Sequence, residues 1–284
     1  MSLQPSVQFG HVQPGGSVAY HDVLSNHFTS DTQVNLSGSS HHGFGVTVDP
    51  STLIAHPDVT NTINITVTMP ATSTTRCDLE RITAVSGGST PYTATAYLIT
   101  ISSTHPFIDL SADHWASDPV QYLLSQQVIS GYADGTFRPD GNVTRAQFAK
   151  ILVGAMGWDL LAPQSPTFSD VGTDFWAYSY IETAVAHGVI SGYEDGTFRP
   201  YKDVTRAQVA KMVVVSREWV VDMPASSSFA DVSPTDWSYV YVETVNAAQV
   251  MSGYADNTFR PDAPATRAQI AKILTYSLFS DPND

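Results

Sequence analysis

The stretch GYADGTFRPDGNVTRAQFAKIL, residues 131–152, recurs twice further along the chain. The later copies are GYEDGTFRPYKDVTRAQVAKMV at residues 192–213 and GYADNTFRPDAPATRAQIAKIL at residues 253–274, so each copy begins 61 residues after the previous one. A fixed step without gaps indicates one supersecondary unit used three times. Each unit is too small to bury an adequate core by itself, so we expect the three to pack as one domain over residues 105–284. The predicted repeats are 105–165, 166–226 and 227–284.

Each repeat has the pattern of a helix, a turn-rich loop and a second helix. It opens with Phe-x-Asp, and in the second repeat the segment YSYIETAVAHGVI has apolar residues at helical spacing, with Gly188 as the helix-ending residue. An Asp-Gly turn then precedes a phenylalanine, such as Phe198, that we expect in the core. The second helix begins at Thr-Arg-Ala-Gln, where Thr144 is the N-cap and Gln147 completes a capping box. The pattern predicts a mainly α array of three helix–loop–helix repeats.

Residues 1–104 have a different character and are rich in Thr, Ser and Val. Apolar and polar residues alternate in TINITVTM (62–69), LERITAVS (79–86) and YTATAYLITI (92–101), and turn-forming Pro and Gly residues separate these stretches. Period-two alternation with β-branched residues is typical of half-buried strands. Several short strands at this spacing predict an all-β, antiparallel sandwich over residues 1–104.

The composition of the 284-residue chain argues against several classes of partner. Charged residues make up only 14% of the chain and the net charge is −14, whereas nucleic acid and anionic membranes require broad positive fields. No run of 18 apolar residues could cross a bilayer, and the N-terminal MSLQPSVQFG lacks a signal-peptide pattern. We therefore expect no nucleic-acid partner and no membrane insertion, and an export signal that lies outside this sequence. The single cysteine, Cys77, allows no intrachain disulfide.

Motifs for catalysis and for metal binding are missing from the sequence. There is no Gly-x-Ser-x-Gly elbow, phosphate loop or dinucleotide fingerprint. Six of the nine histidines fall within residues 11–56, but His41-His42 lacks the ligand spacing of a metal site, so we expect solvated loop histidines. The repeated Asp-Gly-Thr that begins at Asp134 cannot supply the alternating oxygen ligands of a calcium loop. We expect no enzyme activity, no catalytic residue, no cofactor and no metal.

The cations of this acidic chain are concentrated at three positions of the repeat. Nine of the 13 Lys and Arg residues occupy these positions: Arg138, Arg199 and Arg260; Arg145, Arg206 and Arg267; and Lys150, Lys211 and Lys272. Arg145 takes the first position of its helix, where the helix dipole disfavours a cation by about 0.3–1 kcal/mol. An arginine kept there three times indicates an anion contact, in which free helix-start N–H groups and the guanidinium form a pocket for carboxylate or phosphate. The alternative is an ion pair with an acidic residue of a neighbouring repeat, such as Asp170, that serves packing alone.

Other repeated side chains have competing interpretations. Arg138 stands close to Asp134, which favours an ion pair that fixes the turn over a ligand contact. Lys150 lies further into the helix, where a solvated face is the default. Trp115 is either partly core or an aromatic face open to a sugar ring, and both interpretations stay open at this point.

The three repeats resemble S-layer homology domains. The matching elements are the opening Phe-x-Asp, the Trp six residues after that aspartate, SGY followed by DGTFRP or DNTFRP, and Thr-Arg-Ala-Gln where the family commonly has Thr-Arg-Ala-Glu. The resemblance implies a pseudo-threefold spindle with grooves between adjacent repeats. It also implies non-covalent anchoring to secondary cell-wall polysaccharide, an anionic glycan that often carries a pyruvylated sugar. The expected location is therefore extracellular, at the cell wall or S-layer.

The resemblance also assigns site residues in the three grooves. The arginines would contact the anion, the aspartates would bind sugar hydroxyls, the tryptophans would line the grooves, and the glycines would let the backbone approach the sugar. These residues are Asp109, Trp115, Gly131 and Arg145; Asp170, Trp176, Gly192 and Arg206; and Asp231, Trp237, Gly253 and Arg267. Because the third repeat differs at Asn257 and Ala265, we do not expect the three grooves to bind equally.

Residues 1–104 resemble the bacterial immunoglobulin-like modules of cell-surface proteins, through PGGSVAYHDVLSN (14–26), GFGVTVDPS (43–51) and NITVTMP (64–70). Modules of that kind are usually spacers, and the fold alone gives no activity. The leading hypothesis is thus a polysaccharide-binding anchor with a spacer. Two alternatives stay open: a structural lattice protein whose N-terminal sandwich self-associates in a surface layer, and the anchoring end of a larger surface enzyme.

Overall fold

The chain forms two compact units, Met1–His105 and Pro106–Asn283, which we call the β unit and the repeat unit. The computed structural model describes residues 1–74, 76–102 and 106–280. The boundary predicted between residues 104 and 105, and the end of the third repeat beyond residue 280, lie outside the described residues.

Within its described residues the β unit contains nine strands in two sheets. They are β1 (Ser2–Gln4), β2 (Val7–His11), β3 (Ser17–Ser25), β4 (Thr32–Ser40), β5 (Gly45–Asp49), β6 (Thr52–Ala55), β7 (Thr60–Thr68), β8 (Cys77–Ser86) and β9 (Thr93–Ile101). One sheet has the order β1-β3-β7-β5 and the other β2-β9-β8-β4-β6. Strand β2 runs parallel to β9, so the expectation of a purely antiparallel sandwich is wrong for this pair.

Alternating side chains build the core of the β unit. In β7, Ile63, Ile65 and Val67 are buried while the residues between them are exposed. Ile65 of the four-stranded sheet and Leu98 of the five-stranded sheet belong to the same hydrophobic cluster, so the inner faces of the two sheets share one core. The three stretches predicted as strands are confirmed within β7, β8 and β9. The resemblance to immunoglobulin-like modules stays a prediction.

Each repeat contributes two helices to the repeat unit. They are α1 (Ser117–Ser125), α2 (Arg145–Met156), α3 (Tyr178–Ala186), α4 (Arg206–Ser216), α5 (Tyr239–Ala247) and α6 (Arg267–Phe279). The capping box is confirmed: Gln147 N–H donates to Thr144 Oγ1 and Thr144 N–H donates to Gln147 Oε1, and α4 and α6 begin in the same way. More of each repeat lies in loops than in helices, so the array is less helical than expected. Among the described residues, no helix has the length and apolar character needed to span a bilayer.

Backbone hydrogen bonds join the three repeats in a closed ring. The N–H of Val143 donates to the carbonyl of Ala265 (3.0 Å), that of Val204 to Val143 (2.9 Å), and that of Ala265 to Val204 (2.9 Å). Each of these residues stands immediately before the N-cap of the second helix of its repeat. The ring therefore brings together the starts of α2, α4 and α6.

The loop between the two helices of a repeat is fixed by the opening Phe-x-Asp. Asp109 Oδ1 accepts the N–H of Phe137 and Asp109 Oδ2 accepts the N–H of Arg138, both at 2.7 Å. Phe137 is buried against Phe107, with ring centroids 5.3 Å apart, as predicted for a core phenylalanine. Asp170 and Asp231 make the corresponding pairs of bonds in their repeats.

Candidate ligand pockets between the repeats

Three related pockets lie in the repeat unit, and each is lined by residues of all three repeats. We name each pocket after its arginine. The Arg145 pocket contains Gly192, Tyr193, Gln208, Lys211 and Trp237; the Arg206 pocket contains Gly253, Tyr254, Gln269, Lys272 and Trp115; and the Arg267 pocket contains Gly131, Tyr132, Gln147, Lys150 and Trp176. Their cavity volumes are about 130, 230 and 210 Å³ respectively. No acidic side chain of the described residues lines any of them.

Backbone carbonyls hold the arginine of each pocket in place. Arg145 Nε donates to the carbonyl of Phe198 (2.7 Å) and Nη2 to that of Ser191 (3.2 Å). Its guanidinium carbon lies 4.4 Å from the centre of the Phe198 ring. Arg206 makes the same two bonds to the carbonyls of Phe259 and Ser252 in the third repeat. Arg267 makes them to the carbonyls of Phe137 and Ser130 in the first repeat. In the described part of the chain none of the three forms an ion pair, so the alternative of a packing ion pair with Asp170 is wrong.

The pocket arginines Arg145 and Arg206 are buried and Arg267 is partly buried, and none of the three has a carboxylate partner among the described residues. Arg145 is only 6% exposed, and this burial lowers the pKa of its guanidinium. Arginine nevertheless remains charged at neutral pH. A desolvated cation that contacts only carbonyl oxygens and aromatic rings keeps its full charge and favours an anion in the adjoining pocket.

The prediction of free N–H groups at the helix start beside Arg145 is wrong. The N–H of Arg145 donates to the carbonyl of Lys202 (2.9 Å) and that of Ala146 to Pro200 (3.0 Å), while the N-cap threonine accepts the next N–H. The loop of the following repeat thus satisfies the first donors of α2, and the same bonds recur at α4 and α6. The positive charge of the pockets therefore comes from side chains.

The pocket tryptophans resolve the choice between core residue and open aromatic face. Trp115, Trp176 and Trp237 are 55%, 52% and 58% exposed. Each lines a pocket whose arginine belongs to another repeat. More than half of each side chain is available to a ligand, which is the arrangement that stacking on a sugar ring requires.

Three pocket residues were not identified from the sequence. Lys150 was expected on a solvated face, but it lines the Arg267 pocket, and its counterparts line the other two. Tyr132 and Gln147 also belong to that pocket. The available signal for the lysine was its recurrence five residues after the arginine in a chain with only 13 cations. In the sequence, Tyr132 is part of the turn motif and Gln147 is part of the capping box, and neither pattern indicates a pocket.

The aspartates and glycines assigned by resemblance have packing roles. Asp109, Asp170 and Asp231 are not among the pocket-lining residues, and both oxygens of each already accept backbone N–H groups. Gly131 does line a pocket, yet a Cβ added there would lie 2.2 Å from Phe107 Cε1. Packing within the repeat thus already accounts for the glycine. Contacts of these residues with sugar stay a prediction.

The ion pair predicted for Arg138 is confirmed. Arg138 Nη2 lies 2.9 Å from Asp134 Oδ2, and the guanidinium lies 3.9 Å from the centre of the Tyr132 ring. Hydrogen bonds from Thr136 and then from Arg138 lower the pKa of Asp134 to about 2. Arg138 has a left-handed backbone (φ 58°) and is not among the pocket-lining residues, so it serves the turn.

Each pocket therefore combines a guanidinium, an ammonium group, a phenol, an amide and an exposed indole. The two cations suit a ligand with a carboxylate or phosphate. The indole supplies an apolar face, and the phenol and amide supply hydrogen bonds.

The family model of the S-layer homology domain matches residues 106–149, 167–210 and 228–271.

The three repeats are S-layer homology domains.

Curated relatives share these S-layer homology domains over part of their length. The cellulosome-anchoring protein of Acetivibrio thermocellus is 37% identical over 49% of this chain and 32% of that protein. The surface-layer 125 kDa protein of Lysinibacillus sphaericus is 33% identical over 58% of this chain and 14% of that protein. An endoglucanase of a Bacillus species is 30% identical over 63% of this chain and 19% of the enzyme. The chain thus spans less than a third of the length of each of these relatives.

The S-layer homology domains and these relatives confirm the expected location at the cell surface and support surface anchoring as the general role. Solved structures add no functional argument. The PapD-like domain 7 of human CEP192, for instance, aligns with 36% of this chain and 83% of its own at 14% identity and a TM-score of only 0.30. The expectation that the chain is not an enzyme stays a prediction, since the endoglucanase similarity covers a fifth of that enzyme.

Proposed function

We propose that the three pockets of the S-layer homology domains bind an anionic sugar of secondary cell-wall polysaccharide and thereby anchor the protein non-covalently to the cell envelope. The observation that carries this proposal is the placement of charge. A chain with a net charge of −14 keeps an arginine and a lysine together in each pocket, with no acidic side chain among the described lining residues. Such a site attracts an anionic ligand to a surface that otherwise repels it.

A pyruvylated sugar fits the chemistry of these pockets. The carboxylate of a pyruvate ketal would accept hydrogen bonds from the guanidinium and the ammonium group, as in the pair Arg145 and Lys211. The sugar ring would then stack on Trp237, which comes from the third repeat. Because each pocket draws on three repeats, binding would also require the complete triplet.

Three pockets on one molecule can engage one polymeric glycan at several points. Once the first pocket has bound, the others meet the same chain at a high effective concentration, and the overall affinity rises by about 10²–10⁴ without any new kind of contact. Weak individual sites are therefore sufficient for stable anchoring.

The test removes pocket charge and leaves the pocket arginines unchanged. We expect the triple variant K150Q/K211Q/K272Q to bind purified sacculi that carry pyruvylated polysaccharide at least about tenfold more weakly, because a hydrogen bond to a charged group contributes roughly 1.5–3 kcal/mol. The matched control is R76Q/R81Q/R217Q, which loses the same charge at residues that neither line the pockets nor contact a pocket tyrosine. Sedimentation with sacculi measures both variants.

Equal binding by the lysine variant and the wild-type protein would contradict the proposal. Equal loss in both variants would show a general charge effect instead of a pocket. Sacculi stripped of pyruvate should bind the wild-type protein as weakly as intact sacculi bind the lysine variant.

A further inference from the structure

Two histidines and a buried aspartate meet at one edge of the β unit. His41 and His42 directly follow β4, and Asp78 is the second residue of the neighbouring strand β8. The antiparallel register of the two strands brings Ser40 opposite Glu80, so the residues after β4 lie beside the start of β8. One nitrogen or oxygen atom from each of the three side chains lies within 4.8 Å of the others.

Asp78 uses its carboxylate to hold this turn. Its Oδ1 accepts hydrogen bonds from the backbone N–H of His42 (2.8 Å), from His42 Nδ1 (2.9 Å) and from the N–H of Leu79 (2.9 Å). Its Oδ2 accepts from Ser40 Oγ at 2.5 Å, and Ser40 Oγ accepts the N–H of Phe44 at 2.7 Å. The Asp78 side chain is fully buried and both of its oxygens already accept hydrogen bonds, so its carboxylate serves to hold the turn and the His42 ring.

The bond to Asp78 determines which nitrogen of His42 is available. A carboxylate that accepts from Nδ1 fixes the tautomer that carries the proton there, and the lone pair is then on Nε2. The His42 side chain is 41% exposed. Its ring centre lies 4.4 Å from that of the exposed His41. Two adjacent imidazoles, one with its ring oriented by a buried carboxylate, have the arrangement of a metal-binding pair.

We infer that His41 and His42 bind one divalent transition-metal ion of the Zn²⁺ type, with Asp78 as the positioning residue behind His42. Imidazole nitrogen is a preferred ligand of Zn²⁺, Cu²⁺ and Ni²⁺, whereas Mg²⁺ and Ca²⁺ prefer oxygen ligands. Water completes the coordination at this exposed site. Ligand spacing in the sequence argued against a metal site at His41-His42, because Asp78 lies 36 residues from His42 and meets it only through strand pairing.

The test is a titration of the full chain, without an affinity tag, with Zn²⁺ in an isothermal calorimeter. We expect one saturable site, with H41A and H42A each lowering the affinity about 10- to 100-fold. The matched control is His56→Ala, since His56 is also a histidine of the β unit but pairs with the exposed Asp31. Mg²⁺ and Ca²⁺ should not compete with Zn²⁺.

Asp78→Asn tests the positioning role separately. The amide keeps the shape of the side chain but no longer fixes the same tautomer of His42, so we expect weaker Zn²⁺ binding with an unchanged far-ultraviolet circular dichroism spectrum. If this variant unfolds, the two histidine variants still decide the question. Absence of saturable Zn²⁺ binding, or binding that H41A and H42A leave unchanged, would overturn the inference.

Discussion

Glu80 is a carboxyl group inside the core of the β unit. It is fully buried in β8, where Oε2 accepts a hydrogen bond from Thr100 Oγ1 at 2.9 Å and Oε1 has no partner among the described residues. Burial raises the pKa of Glu80 to about 8, and the bond from Thr100 opposes this shift. Glu80 is therefore protonated in the folded protein at neutral pH and ionised in the unfolded chain.

This difference predicts a pH-dependent stability. The folded-state pKa of Glu80 is raised, so its contribution is fully present below its unfolded pKa of 4.5 and is lost as pH rises to about 8. We expect Glu80 to contribute to the free energy of unfolding of the β unit a fall of about 1.4 kcal/mol per pH unit across that window. Glu80→Gln should remove most of this slope and be more stable than the wild-type protein above pH 8.

The measurement is urea unfolding at several pH values, followed by far-ultraviolet circular dichroism. Tryptophan fluorescence does not report this change because all five tryptophans lie in the repeats. Asp22→Asn is the control. Burial raises the pKa of Asp22 only to about 6, so Asp22 adds nothing to the slope of stability against pH above pH 7. A slope between pH 7 and 8 that persists in Glu80→Gln would contradict the prediction.

At the scale of elements, the loop of each repeat depends on a glycine that packs under the opening phenylalanine. A Cβ at Gly192 would lie 2.3 Å from Phe168 Cε1 and 2.7 Å from the carbonyl oxygen of Thr197. The backbone oxygen belongs to the same loop and cannot move without disturbing it. Gly192→Ala should therefore destabilise the repeat unit by about 1–3 kcal/mol, the usual cost of overpacking.

Thermal unfolding followed by tryptophan fluorescence measures this effect. Gly154→Ala is the matched control, because Gly154 lies inside α2 and the nearest atom to its added Cβ is Val128 Cγ1 at 3.8 Å. Removing a helical glycine should raise the stability by about 0.5–1 kcal/mol. Equal transition temperatures for the Gly192 variant and the wild-type protein would show that the loop can rearrange.

At the scale of the whole molecule, the closed ring of hydrogen bonds makes the three repeats interdependent. A chain that ends at Ser226 would lose Ala265, which donates to Val204 and accepts from Val143. It would also lose the carbonyl of Phe259 that holds Arg206. We expect this truncated chain to lose the cooperative tryptophan transition of the repeat unit.

The β unit serves as the internal control in this experiment. It forms its own core, so its strand signal in circular dichroism should persist after truncation. A cooperative tryptophan transition with the wild-type midpoint would show that two repeats fold without the third.

The sequence by itself determined the features that depend on neighbours along the chain. The Thr144 capping box, the Arg138 ion pair and the alternation in β7 involve residues at most a few positions apart, so spacing and side-chain type were sufficient to predict them. The 61-residue period was visible because the same local motifs recur along the chain. Membership of the family likewise followed from motifs inside single repeats.

Only the tertiary structure decided which repeated residues meet. Arg145, Lys211 and Trp237 come from three different repeats, and the N–H groups at the start of α2 are satisfied by the loop of the second repeat. Likewise His42 meets Asp78 through the pairing of β4 with β8. A period fixes what each unit contains but not the angle at which the next unit packs against it. Contacts between units depend on that packing, which no local pattern in the sequence encodes.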